Sequence, residues 1–301
     1  MNITKTYLLI QKMEIHNANA MSSPYTVGFP AMTAWLGGIH ALERRLRVAG
    51  VDVRLTSLAV SCHHFSLHTY KGRGDRYGMI VGVAKPIRKN SKGIWTQPSF
   101  IEEPRCDMNI SLLIEIRGIN GDNEDEFLRV TESLLFRQKM ASGDIMGIGK
   151  LSVEYVDEES EAAEKKLLRR LMPGYVPIER RDLMMKEDSE GDALDRLLDY
   201  LKINAVDVNP DGEKPEWEYT KKAPGWIVPL AVGYKAISPL GKVANQRDPE
   251  TPHCFAESVV TLGEFKMPYR FDSIDSIMWQ YDASYVDDGL YLCTNQNKIA
   301  E

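Results

Sequence analysis

An apolar tetrad, Tyr7-Leu8-Leu9-Ile10, runs into a polar elbow in which Asn and Ala alternate from Asn17 to Ala20. Ser22-Ser23-Pro24 and Gly28-Phe29-Pro30 then break the chain, and a helical period follows with Leu36, Ile39, Leu42 and Leu46 on one side. That period contains Gly37-Gly38 on its inner turns and carries Arg44-Arg45 near its end. A strand that enters a helix through a polar, Gly/Pro-punctuated turn can present N–H groups, short amides and hydroxyls to a phosphate chain. An ordinary turn before an ordinary helix has the same composition. The paired glycines weaken the helix by about 1 kcal/mol each relative to alanine, and they allow another backbone, of a sheet or of RNA, to come close.

The rest of the first half continues the pattern. Thr6 to His16 reads as a strand, Ala34 to Arg47 as a helix, and Val53 to Tyr70 and Asp107 to Arg117 as two long strands. In the last of these Met108, Ile110, Leu112 and Ile114 alternate with polar residues until Leu113 interrupts. Glu124 to Met140 is acidic at its start and basic near its end, which suits a helix dipole, and Leu151 to Val156 is a closing strand. This order, βαββαβ, predicts an α+β chain with a ferredoxin-like (RRM-like) palm over residues 1–157. Residues 158–301 are expected to form a C-terminal α/β lobe packed on the palm. In that lobe Ala193 to Ile203 reads as a helix, Trp226 to Leu240 and Phe255 to Phe265 as strands, and Ser273 to Tyr281 as a helix. A charged linker over about 207–224, richest in breakers from Asn209 to Pro224, is the best candidate for disorder.

Charge is distributed unevenly. Between Lys71 and Lys92 stand Lys71, Arg73, Arg76, Lys85, Arg88, Lys89 and Lys92 against one acid, Asp75. That local +6 sits in a chain of net charge −6, so the remainder carries about −12 by subtraction. The run belongs to a Gly-rich insertion of about 71–104 that also holds Trp95. Long insertions in compact domains are functional or disordered. Cations for phosphates and a flat ring for a base are what single-stranded nucleic acid needs, so the insertion is read as an arm that holds RNA.

Several chemistries are poorly supported. The four cysteines form no C-x-x-C pair, which argues against a disulfide framework or zinc site and suits a reducing cytoplasm. No apolar run approaches the roughly 20 residues of a membrane span. In Cys62-His63-His64-Phe65-Ser66-Leu67-His68, strand alternation would put Cys62, His64 and His68 on one face and His63 on the other. No acidic or C/H partner at ligand spacing accompanies them, so neither metal nor other cofactor is expected. Walker, Rossmann and G-x-S-x-G patterns are lacking. As a general base His40 would need a reachable 2′-OH and a partner acid.

The runs Asn17-Ala18-Asn19-Ala20, Ser22-Ser23-Pro24, Gly28-Phe29-Pro30 and His40-Ala41-Leu42 resemble one family, the second Csy subunits of type I-F CRISPR surveillance complexes. Arg169-Arg170-Leu171-Met172-Pro173-Gly174, Pro224-Gly225-Trp226-Ile227-Val228-Pro229 and Gly233-Tyr234-Lys235-Ala236-Ile237-Ser238-Pro239-Leu240 carry the same resemblance. Arg247-Asp248-Pro249-Glu250-Thr251-Pro252 and Leu262-Gly263-Glu264-Phe265 extend it toward Tyr291. It implies a ferredoxin-like palm with an inserted thumb and a non-catalytic subunit that caps the crRNA 5′ handle. The implied neighbours are the large Csy subunit and a backbone subunit, and target DNA is met only indirectly, through the guide.

On this reading Asn17, Asn19, Ser22 and Ser23 contact handle bases and sugar-phosphate, with Arg44, Arg45 and His40 beside them. Lys71, Arg73, Arg76, Lys85, Arg88, Lys89 and Lys92 track the backbone. Trp226, Tyr234 and Arg247 are further candidates, although a Trp in an apolar run reads more readily as core. Two alternatives stay open: a metal-independent endoribonuclease using His40, His63 or His64, and a protein scaffold that never touches RNA.

Overall fold

In the computed structural model the described residues are 4–81, 87–96, 103–157, 160–185, 191–209, 214–246 and 248–295. The fold is mixed α+β and dominated by one antiparallel sheet, with eleven strands among the described residues. Its first part comprises β1 (Thr4–Asn19), α1 (Met32–Val48), β2 (Arg54–Leu67), β3 (Arg105–Arg117), α2 (Glu124–Leu135) and β4 (Lys150–Asp157). These strands pair in the order β4, β1, β3, β2. The chain continues through α3 (Glu161–Arg170), β5 (Val176–Glu179), α4 (Ala193–Leu201), β6 (Trp226–Ala236), β7 (Ala256–Lys266), β8 (Trp279–Asp282) and β9 (Leu290–Asn295). From β2 the sheet passes to β8 at Leu58–Trp279 and on through β9, β6, β7 and β5. It then returns to β2, where Tyr175 bridges Cys62.

The reason Tyr7 to Ile10 is a solid apolar block is that both faces of this sheet are covered. Leu8 and Ile10 pack with Leu36, Ile39 and Leu42 of α1 and Phe127 of α2. Tyr7 and Leu9 face the other way, against Leu167 and Leu168 of α3 and Ile274, Ile277 and Met278. Leu113 interrupts the alternation of β3 because it belongs to this second layer. Burying each such side chain contributes about 1.5–3 kcal/mol.

β1 is longer than expected because two bulges carry it past the helix. Register shifts occur at Ile10/Met13 and Ile15/Ala18, where Lys12 (φ 55°) and Asn17 (φ 56°) are left-handed. The Lys12 N–H donates to Ser111 Oγ (3.1 Å) and the Asn17 N–H to Asp107 Oδ1 (2.9 Å). Beyond the second bulge Ala18 and Ala20 are fully buried while Asn17 is exposed, so the Asn/Ala alternation is the end of a strand with one face in the core.

Two expectations for the second half need correction. Ser273 to Tyr281 is not a helix: a 3₁₀ turn, Asp275–Ile277, leads directly into β8. Ile274, Ile277 and Met278 lie in one apolar layer and Trp279 in the other, so the segment crosses between layers, which a one-faced helix cannot do. The Trp279 Nε1–H donates to the Pro177 carbonyl (2.9 Å). Within the linker expected to be irregular, Trp217–Thr220 pairs with Asn204–Asp207 as a hairpin. No helix of the described residues is long and apolar enough to cross a membrane.

Candidate nucleic-acid interface

Thr33, Gly37, His40 and Arg44 recur every three or four residues, so they share one face of α1. That face borders a groove whose opposite wall is Tyr234 of β6, Tyr281 of β8 and Tyr291 of β9. The upper part, about 660 Å³, is lined by Asn19, Ser22, Thr33, Gly37 and the three tyrosines. The lower part, about 590 Å³, is lined by His40, Arg44, Arg54, Arg117 and again Tyr281. Ser22 also lines a third, more apolar cavity of about 450 Å³ beside the elbow. Ser22 lines both the apolar cavity and the upper part, and Tyr281 lines both parts of the groove, so the three spaces adjoin in the order apolar, hydroxyl-rich, cationic.

The cationic end has little to neutralise it. Arg54 and Arg117 stand opposite each other in the β2/β3 register, and among the described residues Arg117 pairs with Glu115, at 3.6 Å. Glu43, the acid lining this end, is committed: it accepts the Leu55 N–H (2.8 Å) and an Arg47 N–H (3.0 Å). His40 lies over Tyr281 with ring centroids 4.6 Å apart. Burial lowers its pKa, Glu43 pulls it up in part and Arg44 adds to the lowering. Burial, reinforced by the hydrogen bond with Tyr291, raises the Tyr281 phenol.

The elbow side chains differ in how free they are. Asn19 is folded onto its own turn, donating from Nδ2 to the Met21 carbonyl and accepting the Met21 N–H, both at 3.1 Å. Ser23 is buried, shares a hydrogen bond with Thr26 (2.7 Å) and accepts the Tyr25 N–H. Ser22 also meets Thr26 (2.9 Å) but opens onto two of the spaces. The exposed Asn17 holds its place through its backbone.

The insertion forms two small ribbons, Thr69–Tyr70 with Met79–Ile80 and Arg88–Lys89 with Trp95–Thr96. Lys71, Arg73, Arg76, Arg88, Lys89 and Lys92 are exposed, and among the described residues none of them is in an ion pair. Lys89 Nζ lies 5.2 Å from the Trp95 ring centroid, and Arg76 is 5.5 Å from that of Tyr77. Lys85 and Arg247 lie outside the described residues.

With that geometry in view, comparison with known proteins decides the family. The family model for the CRISPR-associated protein Csy2 matches residues 8–293. CRISPR-associated protein Csy2 of Pseudomonas aeruginosa (strain UCBPP-PA14) is 31% identical over 315 residues, covering 94% of this chain and 93% of the relative. The chain belongs to the Csy2 family. It is thus a CRISPR-associated protein of the type I-F Csy complex.

Several residues of this Csy2-family chain sit otherwise than their spacing suggests. Cys62, His64 and His68 do not share a face, because a register shift between Cys62 and His64 reverses the alternation of β2. Cys62 points into the core, and burial pushes its thiol up to about 11. His68 pairs with Asp107 instead (3.1 Å). His63 is clamped between the Pro173 carbonyl and Ser111 Oγ (2.7 Å for the latter), and burial lowers its pKa despite the Pro173 contact. Since Pro173 only accepts, Nδ1 carries the proton and Ser111 donates to Nε2. No group of three or more His, Cys, Asp or Glu suited to a metal occurs among the described residues.

Trp226 is 54% exposed rather than core. Arg45 turns from the groove to donate to the Arg137 carbonyl (2.8 Å). Gly38 serves packing, since a Cβ there would collide with the Met140 sulfur, whereas a Cβ on Gly37 would meet nothing within 4 Å. Arg54, Arg117, Tyr281 and Tyr291 went unnoticed in the sequence, as only the β2/β3 register and the return of β8 and β9 bring them to α1.

Proposed function

We propose that this chain is a non-catalytic RNA-binding subunit of a type I-F crRNA-guided complex and holds the crRNA 5′ handle in the groove along α1. The carrying observation is the succession of adjoining spaces along α1, from the elbow past three tyrosines to Arg44, Arg54 and Arg117. Single-stranded RNA needs rings and hydroxyls for bases and sugars and cations for phosphates, in that kind of succession. The arm supplies a second cationic wall. We read residues 1–157 as a ferredoxin-like palm, supported by the pairing order β4, β1, β3, β2, and residues 158–301 as the lobe that completes the groove. The large Csy subunit and a backbone subunit are the expected neighbours at the other faces, and target DNA is reached through the guide.

Co-expression with the large Csy subunit and guide RNA tests the reading. Arg54→Glu with Arg117→Glu should reduce guide retention and flatten its log–log dependence on salt, while Lys221→Glu, beside the Trp217–Thr220 hairpin, leaves retention unchanged. Equal retention in all three proteins overturns it.

One observation favours an endoribonuclease: His40 lies in the groove, where burial holds its imidazole below the usual pKa. Its nearby acid is occupied, as are both ring nitrogens of His63. Specific cleavage of repeat RNA in EDTA, abolished by His40→Ala, would replace the binding reading with a catalytic one.

A further inference from the structure

The apolar cavity beside the elbow has no role in the groove as described. It measures about 450 Å³, within the range of small-ligand sites. Phe29, Phe65, Tyr175, Trp226 and Phe265 line it, and none of its lining residues is Lys, Arg, Asp or Glu. Its rings hold one another. Trp226 packs against Phe265 (centroids 5.1 Å) and edge-on to Tyr175 (5.4 Å). Phe29 stacks on Trp35 (5.5 Å) and meets Phe265 edge-on (5.2 Å). The wall is therefore fixed before anything enters, yet Trp226 keeps 54% of its surface exposed.

We propose that this cavity receives one unpaired nucleobase of the bound RNA, stacked on Trp226, while that nucleotide's phosphate stays outside at Ser22. The proposal rests on the RNA-binding reading. A neutral, aromatic-walled space excludes a phosphate and accepts a flat ring. Ser22 lines both this cavity and the groove whose other end is cationic, so a strand lying in that groove passes beside the cavity, within reach of a base that turns in. The Ser22 hydroxyl, the His64 imidazole and the Tyr175 hydroxyl are polar groups of its lining residues that a base edge could meet.

The experiment uses the assembled complex and guide RNAs carrying a single abasic nucleotide, scanned through the 5′ handle. Wild-type protein, Trp226→Ala and Trp226→Phe are compared. Loss of one base stack corresponds to about 5- to 150-fold weaker binding. Trp226→Ala should show such a loss and Trp226→Phe should recover most of it. At one handle position the abasic guide should weaken wild type but not Trp226→Ala, because both changes remove the same stack. In wild-type protein, 2-aminopurine at that position should be quenched more than at its neighbours, a readout independent of any variant's folding. Abasic penalties equal in wild type and Trp226→Ala at every position, or uniform quenching, overturn the pocket while leaving the groove reading intact. Retained RNA with loss of the large subunit in Trp226→Ala assigns the cavity to a partner's side chain and also overturns it. Failure of wild-type protein to hold handle RNA defeats both.

Discussion

Gly37 and Gly38 are chain neighbours with opposite surroundings, and that difference makes a sharp test. Neither has a positive φ, so alanine fits the backbone at both. At Gly37 a Cβ meets nothing within 4 Å and projects into the groove. Gly37→Ala should therefore gain helix propensity, about 1 kcal/mol, and raise the melting temperature by about 2 °C for a chain of this size. At Gly38 the new methyl overlaps the Met140 sulfur and terminal methyl. The overpacking costs about 1–3 kcal/mol, so Gly38→Ala should be neutral to destabilising by up to about 2 kcal/mol after the same propensity gain. Gly37→Glu places bulk and negative charge on the groove floor. Losing one or two contacts to RNA, with a like charge added, should cost about 1–3 kcal/mol, roughly 5- to 150-fold in guide affinity. Thermal melts read the first two variants, and fluorescence anisotropy of labelled guide RNA reads the third. Destabilisation by Gly37→Ala would mean that the floor is not open. Wild-type affinity in Gly37→Glu would mean that RNA does not run there.

Three further outcomes follow from the same geometry. Arg88→Glu with Lys89→Glu should weaken guide binding and flatten its log–log dependence on salt by about 1.4, two single-strand phosphate contacts at about 0.7 each; an unchanged slope removes the arm from the RNA. Burial holds His63 below its usual pKa, so the unfolded chain binds more protons below about pH 6.5 and stability falls as pH drops through that window. Melting curves from pH 7.5 to 5 should show a smaller loss in His63→Gln than in wild type, and parallel losses would contradict the depressed pKa. Gly174→Ala drives a Cβ into the Ser61 hydroxyl and the His63 ring, which a clamped ring cannot yield; a loss of about 1–3 kcal/mol in denaturant unfolding is expected, and wild-type stability would argue against the clamp.

The strand and helix series of the first half was readable because it rests on short-range periodicity. Leu36, Ile39, Leu42 and Leu46 face one layer, as their spacing predicts. The elbow residues Asn19 and Ser22 and the distant Tyr234 do come to one groove. What failed were inferences that depend on knowing how many layers surround an element. Ile274 to Trp279 looks like one inward helix face, yet it spans two layers. The histidine strand was misassigned by a single bulge that sequence alternation cannot reveal. Arg54 and Arg117 become one cationic site only through pairing across the sheet, and nothing local announces a pairing between residues so far apart. Trp226 looked like core because an apolar run does not say which of its members edges a cavity.

Ultraviolet crosslinking of guide RNA within the purified complex, with adducts located by peptide mass spectrometry, tests the central claim most directly. The account predicts handle-nucleotide adducts on the peptides around Ser22, Trp226, Tyr234, Tyr281 and Tyr291 of the groove and on the arm around Trp95. Handle adducts confined to other subunits, with none on this chain, would contradict it.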